Sequence, residues 1–443
     1  MSVISQRRAD QASVDRSVAD TLGPGLTALL GEPPLEIEFW DGSTIGRRDG
    51  PGRLRVNSLD ALRRIIWSPN ELGLARAFIA GDIDVDGPVP EVLRALQVKD
   101  ARNPSTMATA VPAIISGTRR LGGVGASPPP PPAEELVPKG RRHSIRRDKQ
   151  AISHHYDVGN EFYELVLGPA MTYSCARFTD ADASLESAQA AKHELICRKL
   201  GLDEPAQRVR SAGARPRLLD VGCGWGSMAL HAAANHDVDV VGVTISKEQA
   251  TYARRRVHDA GLEGRVQIRL QDYREIDDGP FDAISSIGMS EHVGAERIDT
   301  YFTQLHALLR PGGRLLNHAI SSVGGSRLRK RSFIYRYVFP DGELLDIADS
   351  LRSMERVGFE IRDVENLREH YAQTLRSWVA NLQANWDAAV ALVGERRARV
   401  WLLYMSGSIN GFDDAGVQLH QALGVRNEVD GTSSMPRTRR GWD

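Results

Sequence analysis

Features of disulfide-stabilised and membrane-spanning proteins are scarce in this sequence. Its 443 residues include only three cysteines, Cys175, Cys197 and Cys223. They are too few for a disulfide scaffold and too scattered for a zinc motif, so we expect a reducing cytoplasm and no metal site. No stretch reaches the roughly 18 consecutive apolar residues that a transmembrane helix needs. The polar segment at 1–20 also lacks the apolar core of a signal peptide.

A strong net charge is also absent, because 56 Lys and Arg residues nearly balance 57 Asp and Glu residues. No global field therefore attracts nucleic acid, and anion binding must come from a local patch. A basic run at 139–149 follows five consecutive prolines at 128–132 and contains Arg141, Arg142, Arg146 and Arg147. This run is either a solvated linker or a contact for anionic lipid headgroups. Nucleic acid is the weaker interpretation, since no aromatic residues interleave the charges.

Shifts in composition divide the chain into segments. We predict a flexible tail at 1–20, a small α+β domain at 21–100, a proline-rich and basic linker at 101–150, a large α/β domain at 151–425 and a second flexible tail at 426–443. In the large domain, strands that alternate with helices are predicted at 217–221, 239–243, 266–270, 281–287 and 313–320. This rhythm is typical of a doubly wound parallel sheet.

A glycine-rich turn follows the first of these strands. The turn contains Gly222, Gly224 and Gly226, and glycine lets a backbone approach a ligand closely. The spacing differs from the Gly-x-Gly-x-x-Gly of dinucleotide-binding proteins, which argues against a nicotinamide oxidoreductase. Asp220 precedes the glycines, where its carboxylate could meet the ammonium group of S-adenosylmethionine (SAM).

The run Asp-Val-Gly-Cys-Gly-Trp-Gly at 220–226 resembles motif I of class I SAM-dependent methyltransferases. More narrowly, it resembles the cyclopropane-fatty-acyl-phospholipid synthase family, which includes the mycolic acid cyclopropane synthases. The resemblance covers about 150–425. It implies a Rossmann-like class I fold with helical lid insertions, a catalytic domain at 151–425, and SAM binding with S-adenosylhomocysteine (SAH) as product. The implied cofactor-binding residues are Tyr173, Ser174, Asp220, Gly222, Gly224, Trp225, Gly226, Thr244, Ser246, Gln249, Asp272 and Tyr273.

The segments 155–163 and 171–176 resemble the active-site signature of the same family. Methylation of an alkene leaves a carbocation, which aromatic faces can stabilise and a base must deprotonate. In the family the implied base is bicarbonate, and the implied residues that hold it are Cys175, Glu291, His318, Ile320 through its backbone, and Tyr371. Thiol, imidazole and phenol can donate to an anion, and a carboxylate can accept from the bicarbonate hydroxyl. Glu161 and Glu164 are alternative bases.

The fate of the cation stays open. Proton loss from the new methyl group can close a cyclopropane, or the cation can instead end as a methylene branch. Family members usually carry aromatic residues where this chain has Arg177 and Ser290. A separate N-terminal domain, for lipid handling or dimerisation, favours a membrane phospholipid as substrate. We therefore expect a peripheral protein at the inner face of the membrane, with a homodimer as an option. The competing hypotheses are an N-methyltransferase of a small amine and a non-catalytic protein that binds lipid or SAM.

Overall fold

A computed structural model describes residues 16–97, 104–123, 127–136, 158–203, 215–325, 329, 331–340, 342–439 and 441–442. The chain divides into two compact units, one formed by Met1–Glu135 with Arg399–Gly407 and the other by Leu136–Ala398 with Ser408–Asp443. The predicted continuous domain at 151–425 is therefore interrupted at Arg399–Gly407. The basic run at 139–149 and the residues 155–157 lie outside the described residues.

The first unit contains a four-stranded sheet and flanking helices. Its elements are α1 (Val18–Leu30), β1 (Glu36–Phe39), β2 (Thr44–Ile45), β3 (Arg53–Val56), α2 (Leu59–Trp67), α3 (Glu71–Ala80), β4 (Ile83–Asp86), α4 (Val89–Ala95) and α5 (Pro104–Arg120). The strand order is β2-β1-β3-β4, with β1 antiparallel to β2 and parallel to β3. This arrangement confirms an α+β unit.

Two segment predictions near this unit are wrong at their edges. Helix α1 begins at Val18, inside the predicted tail at 1–20. Helix α5 occupies part of the predicted linker at 101–150 and packs closely on α1, since a Cβ on Gly117 would lie 2.7 Å from the Thr21 carbonyl oxygen. The linker prediction relied on the prolines and the basic run, and it overlooked the apolar face that α5 buries against α1.

The second unit is built on a mostly parallel sheet. Its elements are α6 (Asn160–Leu167), α7 (Leu185–Leu200), β5 (Arg217–Val221), α8 (Ser227–Asn235), β6 (Asp239–Thr244), α9 (Lys247–Asp259), β7 (Val266–Leu270), β8 (Phe281–Ile287), α10 (Ser290–Val293), α11 (Ile298–Leu308), β9 (Leu309–Ser322), β10 (Leu345–Asp346), α12 (Ile347–Arg356), β11 (Phe359–Asn366), α13 (Arg368–Ala384), α14 (Trp386–Val393), α15 (Glu395–Asp413) and β12 (Val417–Arg426).

The sheet order confirms the predicted doubly wound fold. The strands lie in the order β11-β12-β9-β8-β5-β6-β7, with β10 beside β9. Strands β5 to β9 are parallel, and β12 is antiparallel to both of its neighbours. Apolar clusters cover both faces, with Leu218 in one and Leu219 in the other. Because both faces are covered, a ligand is expected at the edge where the carboxyl ends of β5, β6 and β8 meet.

The C-terminal residues are packed against the second unit. Trp442 is buried in the apolar cluster that contains Leu218. The Arg439 guanidinium lies 2.9 Å from Asp363 Oδ1. The prediction of a flexible tail at 426–443 is therefore wrong for the described residues. The prediction relied on the polar composition of this segment, which does not reveal that one tryptophan is buried and one arginine forms an ion pair. Among the described residues, no helix is long and apolar enough to cross a membrane.

A buried lysine joins α7 to β11 and β12. Lys199 Nζ lies 3.0 Å from Asp363 Oδ2, pairs with Glu365, and donates to Gln421 Oε1 at 2.9 Å. Removing one partner of a buried ion pair typically costs about 3–5 kcal/mol. We expect Lys199→Met to lower the free energy of unfolding by about this amount in urea denaturation. The control Arg215→Met breaks the exposed pair with Asp237 and should cost less than about 1 kcal/mol. Equal losses in the two variants would contradict the prediction.

Candidate active site

The glycine turn is tied to the neighbouring strand by two hydrogen bonds. The backbone amides of Gly222 and Cys223 both donate to the Val243 carbonyl oxygen, each at 2.9 Å. Gly222, Gly224 and Gly226 have φ values of +74°, +54° and +84°. These lie in the left-handed region that glycine adopts without strain. The turn therefore leaves β5 sharply and opens a cavity at the carboxyl edge of the sheet.

The structure brings most of the predicted cofactor-binding residues to this one cavity. The lining includes Tyr173, Ser174, Asp220, Gly222, Gly224, Trp225, Thr244, Gln249, Asp272 and Tyr273. Gly226 and Ser246 stand next to it as the residues that precede α8 and α9. The Ser246 hydroxyl accepts from the Gln249 amide at 3.3 Å, so its side chain caps the helix. The predicted set is thus spatially coherent.

Asp220 presents a buried carboxylate to the cavity. Its Oδ1 accepts from the Ser285 hydroxyl at 2.7 Å, while Oδ2 has no hydrogen-bond partner among the described residues. Burial raises the pKa of Asp220 to about 6, against the opposing effects of Ser285 and Lys192. An unpaired buried oxygen of this kind suits a cationic ligand group such as an amino acid ammonium. The residues therefore fit SAM.

A hydroxyl group at the end of β6 and a side-chain amide in the first turn of α9 face each other at the cavity. Thr244 Oγ1 donates to Gln249 Oε1 at 2.8 Å. At the third strand, Asp272 caps a short helical turn and pairs with Arg274. The neutral groups of Thr244 and Gln249 can hydrogen-bond ribose hydroxyls.

The residues predicted to hold bicarbonate lie around the ends of β9 and β12, where hydrogen bonds and strand pairing connect them. The Ile320 amide donates to Glu291 Oε1 at 2.8 Å. His318 and Ile320 are two residues apart on β9, so their side chains lie on the same face of the sheet. The register pairs Ile320 with Leu419 on β12.

Cys175 and Tyr371 reach the same region through Leu367. The Leu367 amide donates to the Leu419 carbonyl at 2.9 Å. The Leu367 carbonyl accepts from the Cys175 thiol at 3.6 Å and from the Tyr371 amide at 3.1 Å. All five predicted residues are therefore linked through neighbouring backbone positions, although they are far apart in sequence.

Two of these side chains have unsatisfied polar atoms. Glu291 Oε2 and His318 Nε2 are buried and have no hydrogen-bond partner among the described residues. Burial raises the pKa of Glu291 to about 7. Burial, with Lys192 and Lys199 nearby, holds the pKa of His318 well below its usual value, so the imidazole is neutral. Burial also raises the pKa of the Cys175 thiol.

A series of aromatic rings runs from the glycine turn to Tyr371. Ring centroids are 4.5 Å apart for Trp225 and Tyr163, 5.8 Å for Tyr163 and Tyr173, 5.4 Å for Tyr173 and Trp378, and 6.1 Å for Trp378 and Tyr371. We call four of these residues the aromatic series: Tyr163, Tyr173, Trp225 and Trp378. Such faces stabilise positive charge when solvent is excluded.

Comparison with known proteins identifies the family. The model described as mycolic acid cyclopropane synthetase matches residues 143–422. The chain belongs to this cyclopropane synthetase family. The chain is 43% identical over 418 residues to a protein of Mycobacterium tuberculosis (strain ATCC 25618 / H37Rv) named "Probable fatty acid methyltransferase", covering 92% of this chain and 94% of that protein. It is 40% identical to the cyclopropane-fatty-acyl-phospholipid synthase of Escherichia coli (strain K12), covering 62% of this chain and 68% of that enzyme.

A solved structure of the family agrees with the fold. The crystal structure of mycolic acid cyclopropane synthase CmaA1 complexed with SAH and CTAB superposes with a TM-score of 0.56 at 34% identity, covering 62% of this chain and 97% of that one. The present family member is accordingly a SAM-dependent methyltransferase of the cyclopropane fatty acid synthase type. The resemblance of the glycine turn and the predicted class I fold are confirmed.

Lys192 is a site residue that the sequence reasoning missed. This residue of α7 is fully buried, lines the cavity, and donates from Nζ to the Ser174 hydroxyl at 3.0 Å. Burial lowers its pKa to about 7, whereas Cys175 and Asp220 act to raise it. The available signal was spacing, because Lys192 shares one helical face with the buried residues Ala188 and Leu195. A lysine on the apolar face of a helix is a sequence signal of a buried charged group.

Trp378 is fully buried, and its ring lies next to that of Tyr173, with centroids 5.4 Å apart.

The alternative bases Glu161 and Glu164 lie exposed on α6. Glu164 accepts a hydrogen bond from the Tyr252 hydroxyl at 2.7 Å. Their exposure disfavours them as bases in a site that must exclude water.

Gly222 offers a test of the turn. A Cβ on Gly222 would lie 2.5 Å from Met289 Cγ and would have to adopt a φ of +74°. We expect Gly222→Ala to weaken SAM binding at least about tenfold in isothermal titration calorimetry, since Met289 must shift into the cavity. The control Gly261→Ala has a similar φ of +66° with nothing within 4 Å of the added carbon, so SAM affinity should stay unchanged. Similar losses in both variants would indicate that backbone strain alone is responsible.

Proposed function

We propose that this methyltransferase alkylates the cis double bond of an unsaturated acyl chain in a membrane phospholipid. SAM would supply an electrophilic methyl group, held by the cavity at the glycine turn. The acyl chain then becomes a carbocation, which loses one proton. Loss from the new methyl group gives a cyclopropane directly or, after a 1,2-hydride shift along the chain, a methylene branch; loss from a chain carbon gives a methyl-branched alkene. A single observation carries the proposal: the aromatic series borders the cofactor cavity on one side and Tyr371, near Cys175, on the other.

The aromatic series serves a substrate that is uncharged until it reacts. An alkene offers no charge for recognition, so the pocket must orient it by shape and exclude water. Tyr163 and Trp378 are fully buried, and Trp225 is nearly so. Their faces stabilise the positive charge that develops on the chain, whereas they would add little to a neutral ground state. A small amine would not need the set formed by Cys175, Glu291, His318 and Tyr371.

Bicarbonate would supply the base. The histidine beside it has a defined tautomer: Lys199 donates to Gln421 Oε1, which turns the Gln421 amide nitrogen toward His318 Nδ1 at 3.3 Å. Because Nδ1 accepts, Nε2 of the neutral ring carries the proton and can donate to an anion. Glu291 Oε2 can accept from the bicarbonate hydroxyl. Glu291 Oε1 accepts a hydrogen bond from the Ile320 amide. The carboxylate would therefore have to release this amide before the amide could donate to bicarbonate.

The product stays open between a ring and a branch. Ser290 is buried beside Glu291, and Arg177 follows Cys175 by two residues, at two positions where the family usually has aromatic residues. Fewer rings near the cation weaken control over which proton leaves. We therefore retain both products in the proposal.

The relatives support a lipid substrate. The similarity to the fatty acid methyltransferase of M. tuberculosis covers 92% of this chain and so includes most of the first unit. We propose that this unit handles lipid or supports a homodimer, and that the enzyme works at the inner membrane surface. Arg141, Arg142, Arg146 and Arg147 are the proposed headgroup contacts, although they lie outside the described residues.

The proposal is tested with methyl-labelled SAM and vesicles of a phospholipid that carries cis-monounsaturated chains. We expect label in the acyl chains, and none with vesicles of the saturated phospholipid. Mass spectrometry before and after mild hydrogenation separates the products, because a methylene branch takes up hydrogen and a cyclopropane ring does not. Label that appears in small amines and never in an acyl chain would overturn the proposal.

Substitution of the anion site should affect turnover more than binding. We expect Glu291→Gln and Cys175→Ser to lower kcat by about 100-fold or more while SAM affinity stays within about twofold. In the wild type, kcat should rise as the pH passes about 7, where Glu291 loses its proton and can accept a hydrogen bond. This rise should disappear in Glu291→Gln. Loss of SAM binding in both variants would show that these residues belong to the cofactor site instead.

A further inference from the structure

A cluster of metal-binding side chains lies between α7 and α8, outside the proposed reaction centre. Cys197, His231 and His236 each offer one ligand atom, and these atoms all lie within 4.8 Å of one another. Glu194, one turn before Cys197 on α7, joins them. Its Oε2 lies 3.2 Å from His231 Nε2 and 3.0 Å from His236 Nε2.

The donor types and spacing suit zinc. Zn²⁺ prefers four ligands in a tetrahedron, with sulfur at about 2.3 Å and nitrogen or oxygen at about 2.0–2.2 Å. The edges of such a tetrahedron measure about 3.3–3.6 Å. The carboxylate-to-imidazole distances are already close to this value, and the group with Cys197 needs only a modest contraction.

We propose that Cys197, His231 and His236 bind one Zn²⁺ ion, with Glu194 as the fourth ligand. The thiol is fully buried, whereas the Glu194 and His231 side chains are 30% and 16% exposed, so an ion can enter from the carboxylate side. The simpler alternative is that Glu194 only hydrogen-bonds the two histidines and pairs with Arg198 at 2.9 Å. In that alternative Cys197 is only a packing residue of the apolar cluster that contains Leu218, which makes the cysteine the discriminating residue.

The location suggests what the ion does. Helix α8 begins directly after Gly226, and His231 lies in its second turn. His193, adjacent to Glu194, lines the cofactor cavity and packs edge-to-face on His231 with centroids 5.6 Å apart. Four protein ligands leave no open position for chemistry, so the ion is structural. It would tie α7 to α8 behind the glycine turn.

The test uses the full-length protein without a histidine tag, stripped of metal by a chelator. We expect Zn²⁺ alone to bind with one high-affinity ion per chain in competition with a chromogenic chelator, and to raise the thermal midpoint. Co²⁺ should give the visible bands of a tetrahedral site and a near-ultraviolet thiolate charge-transfer band. Cys197→Ser should abolish that band, and both Cys197→Ser and His236→Gln should lower Zn²⁺ affinity at least about tenfold. His258→Gln, which removes an exposed histidine of α9, should leave Zn²⁺ binding and the thermal shift unchanged.

Zn²⁺ binding by the wild type and by the two variants decides the proposal. A wild-type chain that binds no Zn²⁺, or that binds it equally well after both substitutions, would overturn the proposal. Circular dichroism and SAM binding report whether each variant folds. If the buried Cys197→Ser variant does not fold, the more exposed His236→Gln variant and the Co²⁺ spectrum of the wild type decide alone. SAM-dependent methyl transfer is not needed for any of these readouts, so failure here leaves the proposed function unaffected.

Discussion

The two hydrogen bonds from Gly222 and Cys223 to the Val243 carbonyl are the constraint on which the site depends. They fix the turn after β5 against the end of β6, and the left-handed glycines then direct the chain into α8. This geometry aims Asp220 into the cavity and turns Trp225 toward Tyr163. The same turn therefore sets both the cofactor cavity and the first ring of the aromatic series.

A second constraint is the burial of charge without full pairing. Asp220, Glu291 and His318 each keep one buried polar atom without a partner in the described part of the chain. Lys192 is buried near Asp220 and His318, and burial lowers its pKa to about 7. Such groups cost folding free energy unless a ligand completes their hydrogen bonds. Their concentration at one sheet edge is typical of a functional site.

Local motifs made the cofactor half of the site predictable from sequence. The glycine turn, Asp220 and the Thr244–Gln249 pair each lie within a few residues of a strand end, so strand prediction places them at one edge. The parallel strands were also predictable, because buried strands are continuous apolar runs.

Residues defined by long-range packing were not predictable in the same way. Lys192 and Trp378 acquire their roles only when α7 and α13 pack on the segment that carries Tyr173 and Ser174. Cys197 was set aside because the three cysteines are too scattered along the sequence for a zinc motif, yet folding of α7 on α8 brings two histidines to it. The packed C-terminal residues were missed since a single buried Trp442 leaves no periodic pattern.

The antiparallel position of β12 has a consequence for biosynthesis. This strand, residues Val417–Arg426, inserts between β9 and β11 and is synthesised after both of them. Until it emerges, β9 is an open edge with unpaired backbone groups, and such edges invite pairing with other chains. Gln421, which orients the His318 ring, also arrives with this strand. A nascent chain can thus form the cofactor turn before β12 is made, whereas the proposed reaction centre is complete only after β12 has been synthesised.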